Sequence, residues 1–164
     1  MRYIKLLTPT LVLLLTPCVS WAVDYKDWLP LIPDTLDGLT VSAKDEGENL
    51  DLGVMNMSNF SRQYGEGDKQ INISIMYESS GEQIKAQNAR TQKNIKLAEL
   101  VQKRITIQGF ESVYDHNKSV PYQRITVFLN DKAVISFGVF GLNEEKHFFE
   151  LANKINFRKI NDTF

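Results

Sequence analysis

The sequence predicts an α+β fold: an antiparallel sheet of about six strands with helices packed on its faces, in a single domain spanning residues 23–164. Three observations predict it. Runs with period-two alternation, such as Ile71, Ile73 and Ile75 against Asn72, Ser74 and Met76, recur through the middle and late chain. The turns between these runs are short, which favours antiparallel neighbours. Helical patterns stand apart from them, over residues 82–101 and 144–155, so helices are expected to lie on the sheet rather than alternate with its strands.

The chain opens with an export signal over residues 1–22. Arg2 and Lys5 form a basic start, residues 6–15 form a short apolar run, and Ser20-Trp21-Ala22 places small residues at the two positions a signal peptidase reads. Cleavage is expected after Ala22, and the expected compartment is the periplasm. The apolar run is shorter than the roughly 20 residues of a spanning helix, and no later stretch exceeds it, so no transmembrane segment is expected once the signal is removed. Cys18 is the only cysteine. Pro17 precedes it where lipoprotein signals carry a small residue, which argues against lipid modification. The mature chain then has no thiol, excluding disulfides, cysteine nucleophiles and thiolate metal sites. A cysteine-free exported domain suits a bacterial periplasm better than an extracellular space where small domains are stapled. Five Asn-x-Ser/Thr triplets, at Asn56, Asn59, Asn72, Asn117 and Asn161, are read as coincidence in an Asn- and Ser-rich chain. Loss of Arg2 and Lys5 takes the formal charge from −1 to −3, too weak to imply a nucleic-acid partner.

The elements follow in order. Residues 23–33 read as a short amphipathic opening with Asp24 as cap and Tyr25, Trp28, Leu29 and Ile32 as its apolar side, limited by Pro30 and Pro33. Asp37-Gly38 signals a turn, residues 40–44 a short strand, and residues 45–51 an acidic turn. Met55 to Tyr64 and Ile71 to Met76, joined through Gly65-Glu66-Gly67-Asp68, read as a hairpin. Residues 82–101 form one long helical candidate, rich in Gln, Lys, Ala and Leu and free of Gly and Pro, but with a weak apolar stripe. Strand signals return at residues 105–107, 110–114, 125–129 and 134–140, with residues 115–118 as a polar turn and Asn130-Asp131 as a tight one. A last helix from about residue 144, N-capped by Asn143, carries Phe148, Leu151, Ala152 and Ile155 at i, i+3, i+4 and i+7. It should cover the apolar face of the sheet, leaving the Thr/Ser/Asn/Gln face wet or loosely covered by the long basic helix.

No catalytic, cofactor or metal residues are assigned. His116 reads as a loop histidine, and His147, one turn from Glu144 and Glu150, as part of a solvated helix face, because a carboxylate-bridged metal would need a second Glu-x-x-His motif. Gly65-Glu66-Gly67 precedes a strand and so is no phosphate cradle. Asp45, Glu46, Glu48 and Asp51 lack the spacing of a calcium loop and read as a solvated turn. The candidate partner-binding face is basic: on an ideal helix Lys85, Arg90, Lys93 and Lys96 fall within an arc of about 140°. Such a face suits an acidic protein, a glycan or an anionic surface. Phe149 is the aromatic expected to be exposed or interfacial.

Trp28-Leu29-Pro30, the run Ile105-Thr106-Ile107-Gln108-Gly109-Phe110, Val134 to Gly141, and Glu144 through Ile160 carry a resemblance. Taken together they resemble small exported proteobacterial proteins and, more widely, the PsbP, Mog1 and DcrB proteins. That resemblance implies an antiparallel sheet sandwiched with helices and an accessory or binding role, with no catalytic residues carried over.

The expected function is therefore a non-enzymatic periplasmic accessory or binding protein, without cofactor, whose partner is another periplasmic or envelope protein. Two other readings stand beside it. One is a periplasmic immunity or inhibitor protein that blocks a toxin or hydrolase, with Asp45, Glu46, Glu48 and Asp51 as an acidic plug. The other is a hydrolase using two carboxylates alone.

Overall fold

A computed structural model describes residues 23–97 and 99–164; the expected export signal, Cys18 and the expected cleavage site after Ala22 lie outside them. Two 3-10 turns, Tyr25–Asp27 and Leu29–Leu31, open the described chain. The strands are β1 (Thr35–Leu36), β2 (Leu39–Thr40), β3 (Glu46–Asp51), β4 (Asn56–Tyr64), β5 (Gln70–Glu78), β6 (Ile95–Lys96), β7 (Leu100–Ile107), β8 (Phe110–Asn117), β9 (Tyr122–Asn130) and β10 (Ala133–Phe140). The helices are α1 (Glu82–Arg90), α2 (Glu145–Ala152) and α3 (Phe157–Asn161). β1 and β2 form a small hairpin, and the rest form one antiparallel sheet in the order β3-β4-β5-β10-β9-β8-β7-β6. The single crossover is the pairing of β5 with β10.

This corrects the expected α+β sandwich of about six strands. The molecule is mostly β, with an eight-stranded sheet and only 20 % of the described residues helical. The long helix accounts for most of the difference. α1 stops at Arg90, where the Thr91 hydroxyl donates to the carbonyls of Gln87 and Asn88. Ile84 is its only buried side chain, so nothing apolar holds a longer helix to the sheet. From Leu100 onward the backbone pairs instead with β8, Leu100 opposite Asn117 through Ile107 opposite Phe110. Cross-strand pairing outweighs the few tenths of a kcal/mol per residue that helix propensity supplies. The second correction is at residues 46–51. The acidic turn is strand β3, whose every residue is exposed and which the alternation rule cannot detect for want of an apolar side. It pairs with β4 in full register and receives the Tyr25 ring over Gly47, where a Cβ would stand 2.2 Å from that ring. A third lies at residues 115–117, which continue β8 rather than turn.

Two smaller expectations also fail: α2 is capped by Glu144 with no side-chain bond rather than by Asn143, and the strand expected over residues 40–44 is only Leu39–Thr40. The turns agree better. Asp37 and Gly38 take φ of +54° and +76°, and Gln108 and Gly109 +49° and +89°, the paired left-handed geometry of two-residue hairpin turns. The Gln108 amide ties its turn to the C-terminal helices, donating to the Ile155 carbonyl at 2.8 Å and accepting from the Phe157 N–H at 3.2 Å. Phe148, Leu151, Ala152 and Ile155 are all buried, as their spacing predicts. With Phe157 and Ile160 they cover one sheet face, against Ile73, Ile75, Ile125 and Phe137. Trp28, Ile32 and Leu36 complete this core from the opening segment, each such side chain contributing about 1.5–3 kcal/mol.

Arg62 anchors the opening segment. It lies on the core side of β4, 5 % exposed, with Nε 2.8 Å and Nη2 2.6 Å from the two Asp45 carboxylate oxygens and Nη1 2.5 Å from the Ile32 carbonyl. The Asp45 hydrogen bond holds the guanidinium charge more firmly than in water, outweighing the cost of burial. Neighbouring Tyr64 donates to the Pro33 carbonyl, and burial pushes its hydroxyl up to about 12.

Candidate functional site

Antiparallel register arranges the second face of the sheet in rows that run across the strands. In the first row Met76, Val134 and Phe128 stand side by side on β5, β10 and β9. α1 lies over this end, packing Ile84 on Val113, Phe128 and Val134. The helix starts here because the buried Glu78 carboxylate accepts the Gln83 N–H at 3.0 Å, satisfying one of the unpaired first-turn donors.

The next row is hydroxyl: Ser61, Ser74, Ser136 and Thr126 lie opposite one another on β4, β5, β10 and β9. The third row holds Gln63, Asn72, Gly138 and Arg124, and the fourth Gln70, Phe140 and Tyr122. Except for Thr126, these residues line a shallow depression of about 470 Å³ built entirely from the sheet. The half of the face beyond α1 is thus open and polar.

Gly138 shapes the floor. A Cβ there would stand 2.6 Å from the Tyr122 hydroxyl oxygen and 3.2 Å from its ring, so the missing side chain lets the tyrosine lie across β10. Arg124 is the one charged side chain in the lining. Its Nε and Nη2 reach one Asp115 carboxylate oxygen at 3.2 and 2.9 Å, while Gln102 donates to the other at 2.8 Å. The internal polar contacts are long: Ser61 donates to Asn72 Oδ1 at 3.3 Å, Gln63 to Gln70 Oε1 at 3.5 Å, and Gln70 to the Gly67 carbonyl at 3.2 Å. Such contacts are weak enough to be exchanged for those of a ligand.

The basic candidates do not form one helical face. Lys85 and Arg90 are on α1, Lys93 lies in the connection after it, and Lys96 is on β6; all four are exposed, and Lys85 meets Asp131 at 3.4 Å. The arc of about 140° required a helix that ends at Arg90. The acidic candidates do not form a loop. Asp45 is taken up by Arg62, while Glu46, Glu48 and Asp51 lie along β3. Glu46 and Glu48 border a smaller depression of about 350 Å³ with Asn59, Phe60 and Ser61, both in solvent and without the apolar enclosure that sets a general acid apart.

His147 is not simply solvated. Its Nε2 lies 3.1 Å from Asp37 Oδ2 and its Nδ1 3.7 Å from Glu150. Lys69 donates to the same Asp37 oxygen at 2.7 Å, and this lysine first, with His147 after it, holds the carboxyl down to about 2. The cluster pins the β1–β2 turn to α2. His116 lies on β8 with its ring 6.2 Å from that of Tyr114. Phe149 is half-buried and packs 5.1 Å from Tyr114. Among the described residues no three His, Cys, Asp or Glu side chains cluster as metal ligands would, and no helix is long and apolar enough to cross a membrane.

Sequence reasoning identified a polar face but not Tyr122, Arg124, Gly138 and Phe140 as its partners. Their one local signal is Gly138 within an otherwise apolar strand, which marks a close approach. Comparison with protein-family models, with curated proteins and with solved structures found no match.

Proposed function

We propose that the protein is a non-enzymatic binding protein of the bacterial periplasm, and that it binds through the open polar half of its sheet. One observation carries this reading: four central strands present hydroxyl, amide and aromatic side chains in register, in a depression whose polar groups are only loosely engaged with one another. A face that merely needed water would gain from charge, yet this one carries a single, already paired arginine. The signal-like segment ending at Ala22 supports the compartment. A component of the cell envelope fits as the partner.

The test is a titration of the 15N-labelled protein with envelope extract, followed through the side-chain amide resonances of Gln63, Gln70 and Asn72. These should shift. In Asn72→Arg, where a long side chain fills the depression from an exposed position, the backbone spectrum should persist and the response should vanish. Shifts confined to α1 or β3, or a full response in Asn72→Arg, would overturn the reading.

A further inference from the structure

Resting on that reading of the face, we infer that its ligand is a neutral, extended oligosaccharide lying across strands β4, β5, β10 and β9. The chemistry of the lining selects the class. Each sugar hydroxyl donates and accepts, and so do serine hydroxyls and the side-chain amides of Asn and Gln. Asn72 Nδ2, Gln63 Oε1 and the hydroxyls of Ser74, Ser136 and Tyr122 have no hydrogen-bond partner among the described residues. These groups stand on neighbouring strands, each about 4.8 Å from the next, so four strands offer a track of roughly 14 Å. A rigid chain of rings with hydroxyls on both edges can engage several strands at once.

The aromatic row supplies the second half of the recognition. The C–H face of a pyranose packs against an aromatic ring, and Tyr122, laid across Gly138, borders the depression beside Phe140. Charge supplies the third. The single charge in the lining, Arg124, is already engaged by Asp115 at its border, so a polyanion would have to compete with that carboxylate for its one cationic partner.

An extended peptide fits less well. A peptide gains its main-chain bonds at a sheet edge, whereas β5, β10 and β9 are each paired on both sides. The depression also lacks the apolar pockets that alternate peptide side chains would fill.

The experiment titrates the protein with four probes: cellohexaose, N-acetylglucosamine hexamer, a hexamer of galacturonate and a Gly/Ser/Asn peptide of similar length. One of the neutral sugars should bind with Kd below about 1 mM, shifting the Gln63 and Asn72 amides. Asn72→Ala, at an exposed position, and Tyr122→Leu should each weaken that binding about tenfold, or about 1.4 kcal/mol, while Gln83→Ala on α1 leaves it unchanged. Binding of the uronate alone, lost in Arg124→Gln, would overturn the neutrality argument. Binding of the peptide alone would overturn the ligand class. No response to any probe, while envelope extract still shifts the Asn72 amide, would overturn the saccharide and leave the binding face standing. No response to either would overturn both.

Discussion

Arg62→Met isolates the anchor that fastens the opening segment to the sheet. Methionine fills similar volume on the core side of β4 but donates nothing. The Asp45 carboxylate loses a two-pronged partner at 2.6 and 2.8 Å, and the Ile32 carbonyl loses its donor. Breaking a buried ion pair from one side costs about 3–5 kcal/mol. Asp45 retains 23 % exposure and can recover some hydration, and Asp34, at 90 % exposure, contributes little through its 3.1 Å contact. The expected cost is therefore about 2–4 kcal/mol, or a fall in Tm of roughly 6–12 °C for a domain of this size. Urea unfolding gives the free energy, and hydrogen exchange should show residues 32–36 opening well before β5 and β10. Adding Asp45→Asn to Arg62→Met should restore part of the loss, because the stranded charge is then gone, giving a coupling of at least about 1 kcal/mol in the double-mutant cycle. A single-mutant cost under about 1 kcal/mol, or strict additivity, would refute the argument.

Three further outcomes follow from individual contacts. Ile84→Ala removes the only buried side chain of α1 and should release the helix, exposing Met76, Phe128 and Val134; the checks are loss of α1 amide protection and a gain in dye binding, with β5 protection retained. Gly138→Ala should cost less than about 1 kcal/mol, since the atom in its way is the far end of Tyr122, yet the Tyr122 ring resonances should move as the ring is pushed off β10. Asp37 has its folded pKa lowered from 3.8 to about 2, so the stability it contributes is present above pH 3.8 and is lost as pH falls toward 2; acid unfolding of Asp37→Asn should lack that component in the same window.

What could be read from the chain beforehand depended on how far apart the cooperating residues lie. Phe148, Leu151, Ala152 and Ile155 announce their buried stripe within two helical turns, and Ile71, Ile73 and Ile75 do so within five residues. The end of α1 does not announce itself. Residues 91–101 have helical composition, yet Ile95–Lys96 and the start of β7 are strand, and only pairing with partners further along the chain makes them so. β3 is hidden for the opposite reason, since it buries no side chain. The polar face was visible strand by strand as Asn72, Ser74 and Thr126. Its rows were not, because they depend on β5 lying beside β10 some sixty residues further along.

The exposed acidic strand at one end of the sheet has a bearing on how crowded molecules treat one another. An outermost strand with free backbone groups invites a second copy to continue the ladder, and then a third. Here a docking copy would bring Glu46, Glu48 and Asp51 against their own duplicates; at the opposite end β6 covers β7 only at Val101 and Gln102, and the Asn94 side chain takes the Arg104 N–H beyond them. Fibril growth is thus opposed at the acidic end by like charge, and Gln or Val in place of those carboxylates would turn a guarded border into a seed.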